Sequence, residues 1–136
     1  MKLGSTAIGK WGPVVVWMGF IFWLSAQPKA PLGWLVEEVE NGDKVGHAAL
    51  YLVLGALLWR ALRYRYSRWK AVGVATAVAV VYGITDEVHQ LFVPGRSFEL
   101  LDLTADGFGA AVSAVLLAIR LGGHAGVERE GSREDL

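Results

Sequence analysis

Four stretches of the chain are almost uniformly apolar, and shorter polar segments separate them. Within each stretch the apolar residues occupy every face of a helix, as in VVVWMGFIFWL and LYLVLGALLW. Helices that are apolar all round are typical of membrane spans, whereas the helices of a soluble four-helix bundle, the alternative, carry one polar face each. Each stretch is close to the ~20 residues that cross a bilayer. The pattern predicts an all-α bundle of four transmembrane helices, at residues 8–26, 43–62, 71–92 and 101–121.

The composition agrees with a membrane protein and argues against several other kinds of chemistry and partner. Hydrophobic residues make up 54% of the chain and the mean hydropathy is +0.39, which is more apolar than an average soluble domain. The absence of cysteine excludes disulfides, thiolate chemistry and cysteine-bound metals. A formal net charge of zero disfavours bulk capture of nucleic acid. The expected partner is the lipid bilayer.

Basic residues are sorted by segment, and their distribution predicts the orientation of the helices. Most of them lie near the two ends of the chain or in the link 63–70, whereas the first and third connections hold few. Because basic segments remain in the cytoplasm, we expect both termini and this link on the cytoplasmic side. Residues 122–136 are rich in glycine and charge, and we expect them to form a disordered cytoplasmic tail.

Three of the predicted helices carry polar side chains near the ends that would face outward. Spacings of three and four place the members of each set on one stripe of their helix. The sets are Lys44, His47 and Tyr51 on the second helix, Asp86, His89 and Gln90 on the third, and Asp102 and Asp106 on the fourth. Ionisable groups at membrane depth are unfavourable unless they meet partners, so the stripes should face one another. We expect a polar cavity that opens on the extracytoplasmic side.

Four short motifs carry these polar residues. They are S-x-Q-P at 25–28, K-x-x-H-x-x-x-Y at 44–51, D-E-x-H-Q-x-F-x-P-G-R-S at 86–97 and D-x-x-x-[ND]-x-x-G at 102–109. In this order and spacing they resemble the VanZ-like family of small bacterial integral membrane proteins, over about residues 19–118. At Asp106 many members of that family have asparagine, so this chain carries an additional carboxyl group there.

The resemblance implies a multi-pass protein of the bacterial inner membrane with a role in the cell envelope. The members that give the family its name are associated with low-level resistance to the glycopeptide antibiotic teicoplanin. The resemblance therefore suggests an envelope lipid or a glycopeptide antibiotic as the partner, without identifying a cofactor.

The functional residues are expected among the polar side chains near the outer face. The candidates for acid–base catalysis are Asp86, Glu87, His89, Asp102 and Asp106. The candidates for ligand binding are Lys44, His47, Tyr51, Gln90 and Arg96. The candidate metal ligands are His47 and His89, since imidazole together with carboxylate suits zinc or manganese.

Several functions fit these residues. The site could bind, or control access to, an envelope lipid or glycopeptide antibiotic, holding an anionic group through Lys44 and Arg96. An intramembrane hydrolase or transferase could instead act on a lipid-linked envelope substrate by acid–base chemistry, with or without a metal. The residues could also form only an interhelical network in which Arg96 pairs with Asp86, Glu87 or Asp102. An ion-coupled carrier is disfavoured because no polar path continues to the inner face.

Overall fold

The computed structural model describes residues 6–28 and 38–122, and these residues form four α-helices. The helices are α1 (Ala7–Ser25), α2 (Gly42–Leu62), α3 (Arg68–Gln90) and α4 (Leu100–Gly122). Each is long and apolar enough to cross a membrane, and the described residues contain no strand. The predicted all-α membrane bundle is confirmed, whereas the cytoplasmic location of both termini stays a prediction. Of the predicted tail, residue 122 ends α4, and 123–136 lie outside the described residues.

The third helix differs from its predicted limits at both ends. It begins at Arg68, three residues earlier than expected, because Ser67 already has the backbone angles of a residue that precedes a helix (φ −58°, ψ 156°). No glycine or proline follows Ser67 in the basic link, so the link's last residues join the helix. α3 ends at Gln90, two residues earlier than expected, and Gly95 then takes a φ of 79° that favours glycine.

The α2–α4 pair forms the centre of the bundle, and glycine lets the two backbones approach closely. A Cβ atom at Gly55 would collide with the backbone of Ala110, and one at Gly109 would collide with the backbone of Ala48. Small residues are common at such contacts in membranes, where lipid provides no hydrophobic drive between helices. These contacts pair increasing residue numbers on both helices, so α2 and α4 run in the same direction.

α3 runs in the opposite direction and packs on this pair through small residues at every fourth position. The buried small residues on this face are Ala71, Ala75, Ala79 and Gly83. Gly83 lets the backbone of α3 lie close to the carboxyl group of Asp106 on α4, because a Cβ atom at this position would lie 3.0 Å from Oδ2 of Asp106. The packing of α3 on α4 therefore reaches directly into the region that holds the polar side chains.

α1 lies at the edge of the bundle, and hydrogen bonds from side chains to backbone join it to the other helices, among them those of Trp17 and Tyr82. The indole Nε1 of Trp17 donates to the carbonyl of Leu50 at 2.9 Å, and the hydroxyl of Tyr82 donates to the carbonyl of Met18 at 2.6 Å. Many apolar side chains of this helix remain exposed, among them Val15, Val16, Phe22 and Trp23. An exposed apolar surface of this kind suits contact with lipid rather than with water.

Candidate functional site

The first turns of α2 and α4 and the last turns of α3 meet at one end of the bundle, where their polar side chains face one another. This arrangement follows from the directions of the helices, because α3 runs opposite to the other two. The polar cluster, as it is termed below, consists of Lys44, His47, Tyr51, Asp86, Glu87, Asp102 and Asp106. Carboxylates in the first turns of α2 and α4 also interact favourably with the positive ends of these helix dipoles.

His47 links α2 to α4 within the polar cluster. Its Nδ1 lies 2.8 Å from Oδ1 of Asp106, and its Nε2 lies 3.5 Å from Oδ2 of Asp102. The two aspartates are four residues apart and so present their carboxyl groups on the same face of α4. The imidazole is therefore held between two carboxyl groups, an arrangement that fixes its ring plane and can transfer a proton or hold a cation.

Lys44 occupies the outer side of the polar cluster and contacts three carboxyl groups. Its Nζ lies 2.7 Å from Oδ1 of Asp102 and also pairs with Asp43 and Glu99. Glu99, which precedes α4, in turn donates its backbone N–H to Oε2 of Glu87 on α3 at 2.9 Å. These contacts tie the entrance of the site together across α2, α3 and the loop before α4.

The inner part of the polar cluster contains buried oxygen atoms that lack partners. Among the described residues, no hydrogen bond reaches the hydroxyl of Tyr51, Oε1 of Glu87 or Oδ2 of Asp106. All three side chains have an exposed fraction of 0%. Buried polar atoms in proteins almost always have a hydrogen-bond partner, either in the protein or in ordered water, so these three oxygens are available to accept hydrogen bonds or to contact a cation.

Carboxyl groups outnumber basic groups at this end of the bundle. The polar cluster and its entrance contain six carboxyl groups, on Asp43, Asp86, Glu87, Glu99, Asp102 and Asp106. They face only the ammonium group of Lys44 and the imidazole of His47 within the described contacts. Such a balance favours a positively charged ligand or a hydrogen-bond donor over an anion.

Two groups of side chains in this region have the geometry to hold a metal ion. The inner group consists of His47, Glu87 and Asp106, and the outer group consists of Asp43, Glu99 and Asp102. Within each group, one ligand atom from each residue lies within 4.8 Å of the others. The inner group combines an imidazole with two carboxyl groups, whereas the outer group has carboxyl groups alone.

Comparison with known proteins assigns the family. A model of the VanZ/LLP1 family matches residues 11–121, which include all the helical residues except the ends of α1 and α4. The chain belongs to the VanZ/LLP1 family. It is therefore a multi-pass membrane protein, as its four apolar helices also indicate. No curated protein and no solved structure matches the chain.

Three of the candidate residues of this VanZ/LLP1 protein take no direct part in the polar cluster. The ring of His89 stacks on Phe22 of α1, with ring centres 4.3 Å apart and planes at 16°. Arg96 forms no ion pair with any carboxyl group in the part of the chain that the structure describes, so the expected pairing with Asp86, Glu87 or Asp102 is not present. Gln90 is buried at the end of α3.

Two further residues contribute to the site of the VanZ/LLP1 protein without having been among the candidates. Glu99 pairs with Lys44 and orients Glu87 through its backbone. Its position three residues before Asp102 extends the stripe of α4 by one turn, and this spacing could have revealed it. Ser25, the last residue of α1, lies beside the carboxyl group of Asp86 and brings α1 to the edge of the site.

Proposed function

We propose that this VanZ/LLP1 protein binds, or controls access to, a membrane-borne ligand of the cell envelope at the polar cluster. The observation that carries the proposal is the set of buried, unpartnered oxygen atoms on Tyr51, Glu87 and Asp106. Each of the three helices contributes one of these oxygens, and burying such an atom without a hydrogen-bond partner is unfavourable. A ligand group that donates hydrogen bonds to these oxygens would remove that penalty.

The charge balance decides which kind of ligand group fits. Lys44 already contacts three carboxyl groups, and Arg96 lies outside the contacts of the cluster. Capture of an anionic headgroup through these two residues is therefore not favoured. A primary ammonium or another group rich in N–H donors suits the excess of carboxyl groups, because charge-assisted hydrogen bonds to carboxylate are short and strong.

Exposure of the side chains suggests the path by which the ligand enters. Asp43 and Glu99 are 58% and 46% exposed at the end of the bundle, whereas Asp106 is fully buried. Lys44, at 19% exposed, lies between them. A ligand would pass the outer carboxylates, displace the Lys44 ammonium and reach the inner oxygens. If this end faces outward, as the basic residues predict, envelope lipids and glycopeptide antibiotics both have access.

The test is a binding measurement on the full-length protein in nanodiscs. One arm adds teicoplanin to phosphatidylglycerol nanodiscs, and the other replaces part of that lipid with phosphatidylethanolamine, whose headgroup carries an ammonium. Bound molecules are counted by native mass spectrometry. Glu87→Gln should weaken binding about 10-fold or more, the effect of losing one hydrogen bond to a charged group. Glu40→Gln, the same change at an exposed position, is the matched control. Binding that Glu87→Gln leaves unchanged would contradict the proposal.

The contact between His47 and Asp106 favours a second function at the same place. A histidine held by a carboxylate at 2.8 Å is able to act as a general base or acid. An intramembrane hydrolase or transferase acting on a lipid-linked envelope substrate would use this pair. Incubation with an envelope lipid extract, followed by mass spectrometry of the lipids, distinguishes the two functions. Product that forms with the intact protein but not with Asp106→Asn would indicate an enzyme.

A further inference from the structure

The inner group of the polar cluster brings together one side chain from each of the three helices that form the site. His47 of α2, Glu87 of α3 and Asp106 of α4 each place a ligand atom within 4.8 Å of the other two. We propose that these three side chains bind a divalent transition-metal ion, zinc or manganese. The inference rests on the proposed function, because the ion would occupy the same site. The ion would take the free oxygens of Glu87 and Asp106, and the ligand would then bind at the open coordination position of the ion and at the hydroxyl of Tyr51.

The chemistry of the donor set suits such an ion. Imidazole nitrogen and carboxylate oxygen are both ligands of zinc, and a carboxylate-rich set also accepts manganese. Three protein ligands leave a coordination position for a further molecule, as zinc sites that act on a bound molecule do. Magnesium and calcium fit less well, because they prefer oxygen ligands throughout.

Two atoms of the proposed ligands give independent support. Oε1 of Glu87 and Oδ2 of Asp106 have no hydrogen-bond partner among the described residues, and both side chains are fully buried. Two carboxyl groups so close together repel one another when both are ionised. A divalent cation supplies a partner for the oxygens and compensates the repulsion.

Neighbouring residues hold the proposed ligands in position. Nε2 of His47 lies 3.5 Å from Asp102, and Lys44 fixes that aspartate from the other side at 2.7 Å. Histidines that bind metals usually direct their second nitrogen to a carboxylate in this way, which orients the ring and makes the first nitrogen a better ligand. Oε2 of Glu87 is likewise held by the backbone N–H of Glu99 at 2.9 Å, which leaves Oε1 for the ion.

The outer group of carboxyl groups does not provide an equivalent site. One carboxylate oxygen each of Asp43, Glu99 and Asp102 also lies within 4.8 Å of the other two. However, the ammonium group of Lys44 contacts all three of them and already supplies the positive charge. The inner group is in contact with no ammonium group among the described residues, and its basic group, the imidazole of His47, can itself bind the ion once it is neutral. This difference assigns the ion to His47, Glu87 and Asp106.

The experiment measures metal binding by the full-length protein, purified in detergent with an affinity tag that contains no histidine. The protein is stripped with a chelator, loaded with zinc chloride or manganese chloride, and passed over a desalting column. Elemental analysis should find close to one ion per chain. Glu87→Gln and Asp106→Asn, which preserve side-chain shape, should lose the bound ion. Asp102→Asn should weaken its affinity by about 10- to 100-fold, as outer-shell changes do.

Two controls separate this site from incidental binding. His89→Ala removes a histidine at the same end of the bundle that stacks on Phe22, and Glu40→Gln removes an exposed carboxylate. Both variants should keep the ion. Metal-free wild-type protein after loading, or a full complement of metal in Glu87→Gln and Asp106→Asn, would overturn the proposal. Because these substitutions could affect folding, cobalt is loaded into the wild-type protein as a second test. A visible spectrum typical of nitrogen and oxygen ligation should appear, and its absence would also overturn the site.

Failure of this inference is distinguishable from failure of the proposed function. Binding of teicoplanin or phosphatidylethanolamine that depends on Glu87 but needs no metal would refute the ion alone. Stoichiometric metal without any binding of either ligand would support the ion and refute the proposed function. The two measurements use the same variants, so both results come from one set of proteins.

Discussion

The guanidinium group of Arg60 donates a 3.0 Å hydrogen bond to the carbonyl oxygen of Gly9. Pro13 explains why this oxygen needs a partner, because a proline four residues later has no N–H for the usual helical hydrogen bond. A side chain near the end of α2 thus satisfies a carbonyl that α1 leaves unpaired. The contact compensates for the hydrogen bond that the proline removes, and it joins the two helices.

Removal of the Arg60 side chain should therefore destabilise the protein mainly while Pro13 is present. Arg60→Ala is expected to lower the free energy of unfolding by about 1 kcal/mol, between the average of ~0.6 and the maximum of ~1.7 kcal/mol found for interhelical hydrogen bonds in membranes. In a Pro13→Ala background, the N–H of the new alanine can donate to the carbonyl of Gly9 within α1. Arg60→Ala should then lower the free energy of unfolding by less. Unfolding of all four proteins in mixed micelles gives the coupling energy. Arg65→Ala is the control. If the effects of Arg60→Ala and Pro13→Ala on stability simply add in the double variant, the explanation is wrong.

The central helix contact should tolerate no added methyl group at Gly109. A Cβ atom there would collide with the backbone of Ala48, which cannot move without moving α2. Gly109→Ala is therefore expected to lower stability by about 2–3 kcal/mol, as overpacked sites do. Gly73→Ala is the matched control, because nothing lies within 4 Å of its added atom. It should be neutral or stabilise by up to ~1 kcal/mol, since alanine favours helix. Equal effects of the two substitutions in thermal unfolding would contradict the packing.

Much of the architecture could be predicted from the sequence, because uniformly apolar runs have one stable form in a bilayer. The stripes of α2 and α4 were also predictable, since Lys44, His47, Asp102 and Asp106 repeat at helical spacing. In contrast, the sequence did not predict which face of α3 turns toward the cluster. The buried face of this helix consists mainly of small residues and continues to Gln90. Successive side chains of a helix point about 100° apart, so the residue before Gln90 lies on a different face. His89 is therefore turned away from the cluster toward Phe22. Spacing alone gives a stripe, whereas packing decides which stripe faces inward.

Two tyrosine hydroxyls near the site should respond differently to removal. The hydroxyl of Tyr82 donates to the carbonyl of Met18 at 2.6 Å, whereas the buried hydroxyl of Tyr51 has no hydrogen bond within the described residues. Tyr82→Phe should lower the free energy of unfolding by about 0.6 kcal/mol, and by no more than ~1.7 kcal/mol. Tyr51→Phe should leave it unchanged or raise it, because it removes an unsatisfied buried group. Unfolding of the ligand-free variants measures both effects. A larger loss for Tyr51→Phe would show that its hydroxyl is already satisfied.

Lys44 should be essential for the stability of the bundle end because of the carboxyl groups around it. Lys44→Met leaves Asp102, which is 8% exposed, without its cation. Removing one partner of a buried ion pair lowers the free energy of unfolding by about 3–5 kcal/mol, and removing one partner of an exposed pair lowers it by less than ~1 kcal/mol. Lys44 has both kinds of partner, so we expect a loss of about 2 kcal/mol for Lys44→Met. Asp102→Asn should restore part of the loss in the double variant. Arg65→Met, at an exposed position outside the site, should change stability by less than ~0.5 kcal/mol. Double-variant stability equal to that of Lys44→Met alone would exclude this pairing.

The orientation of the polar cluster can be tested with two matched serines at opposite ends of α3. Ser67 precedes this helix and Ser97 follows it, both are exposed, and the chain has no cysteine of its own. The distribution of basic residues predicts the cluster on the outer side. A membrane-impermeant maleimide should therefore label Ser97→Cys in intact cells and Ser67→Cys only after permeabilisation. Labelling of Ser67→Cys alone would place the cluster on the cytoplasmic side. An antibiotic approaching from outside could then not reach the site, and the ligand would have to come from the inner leaflet.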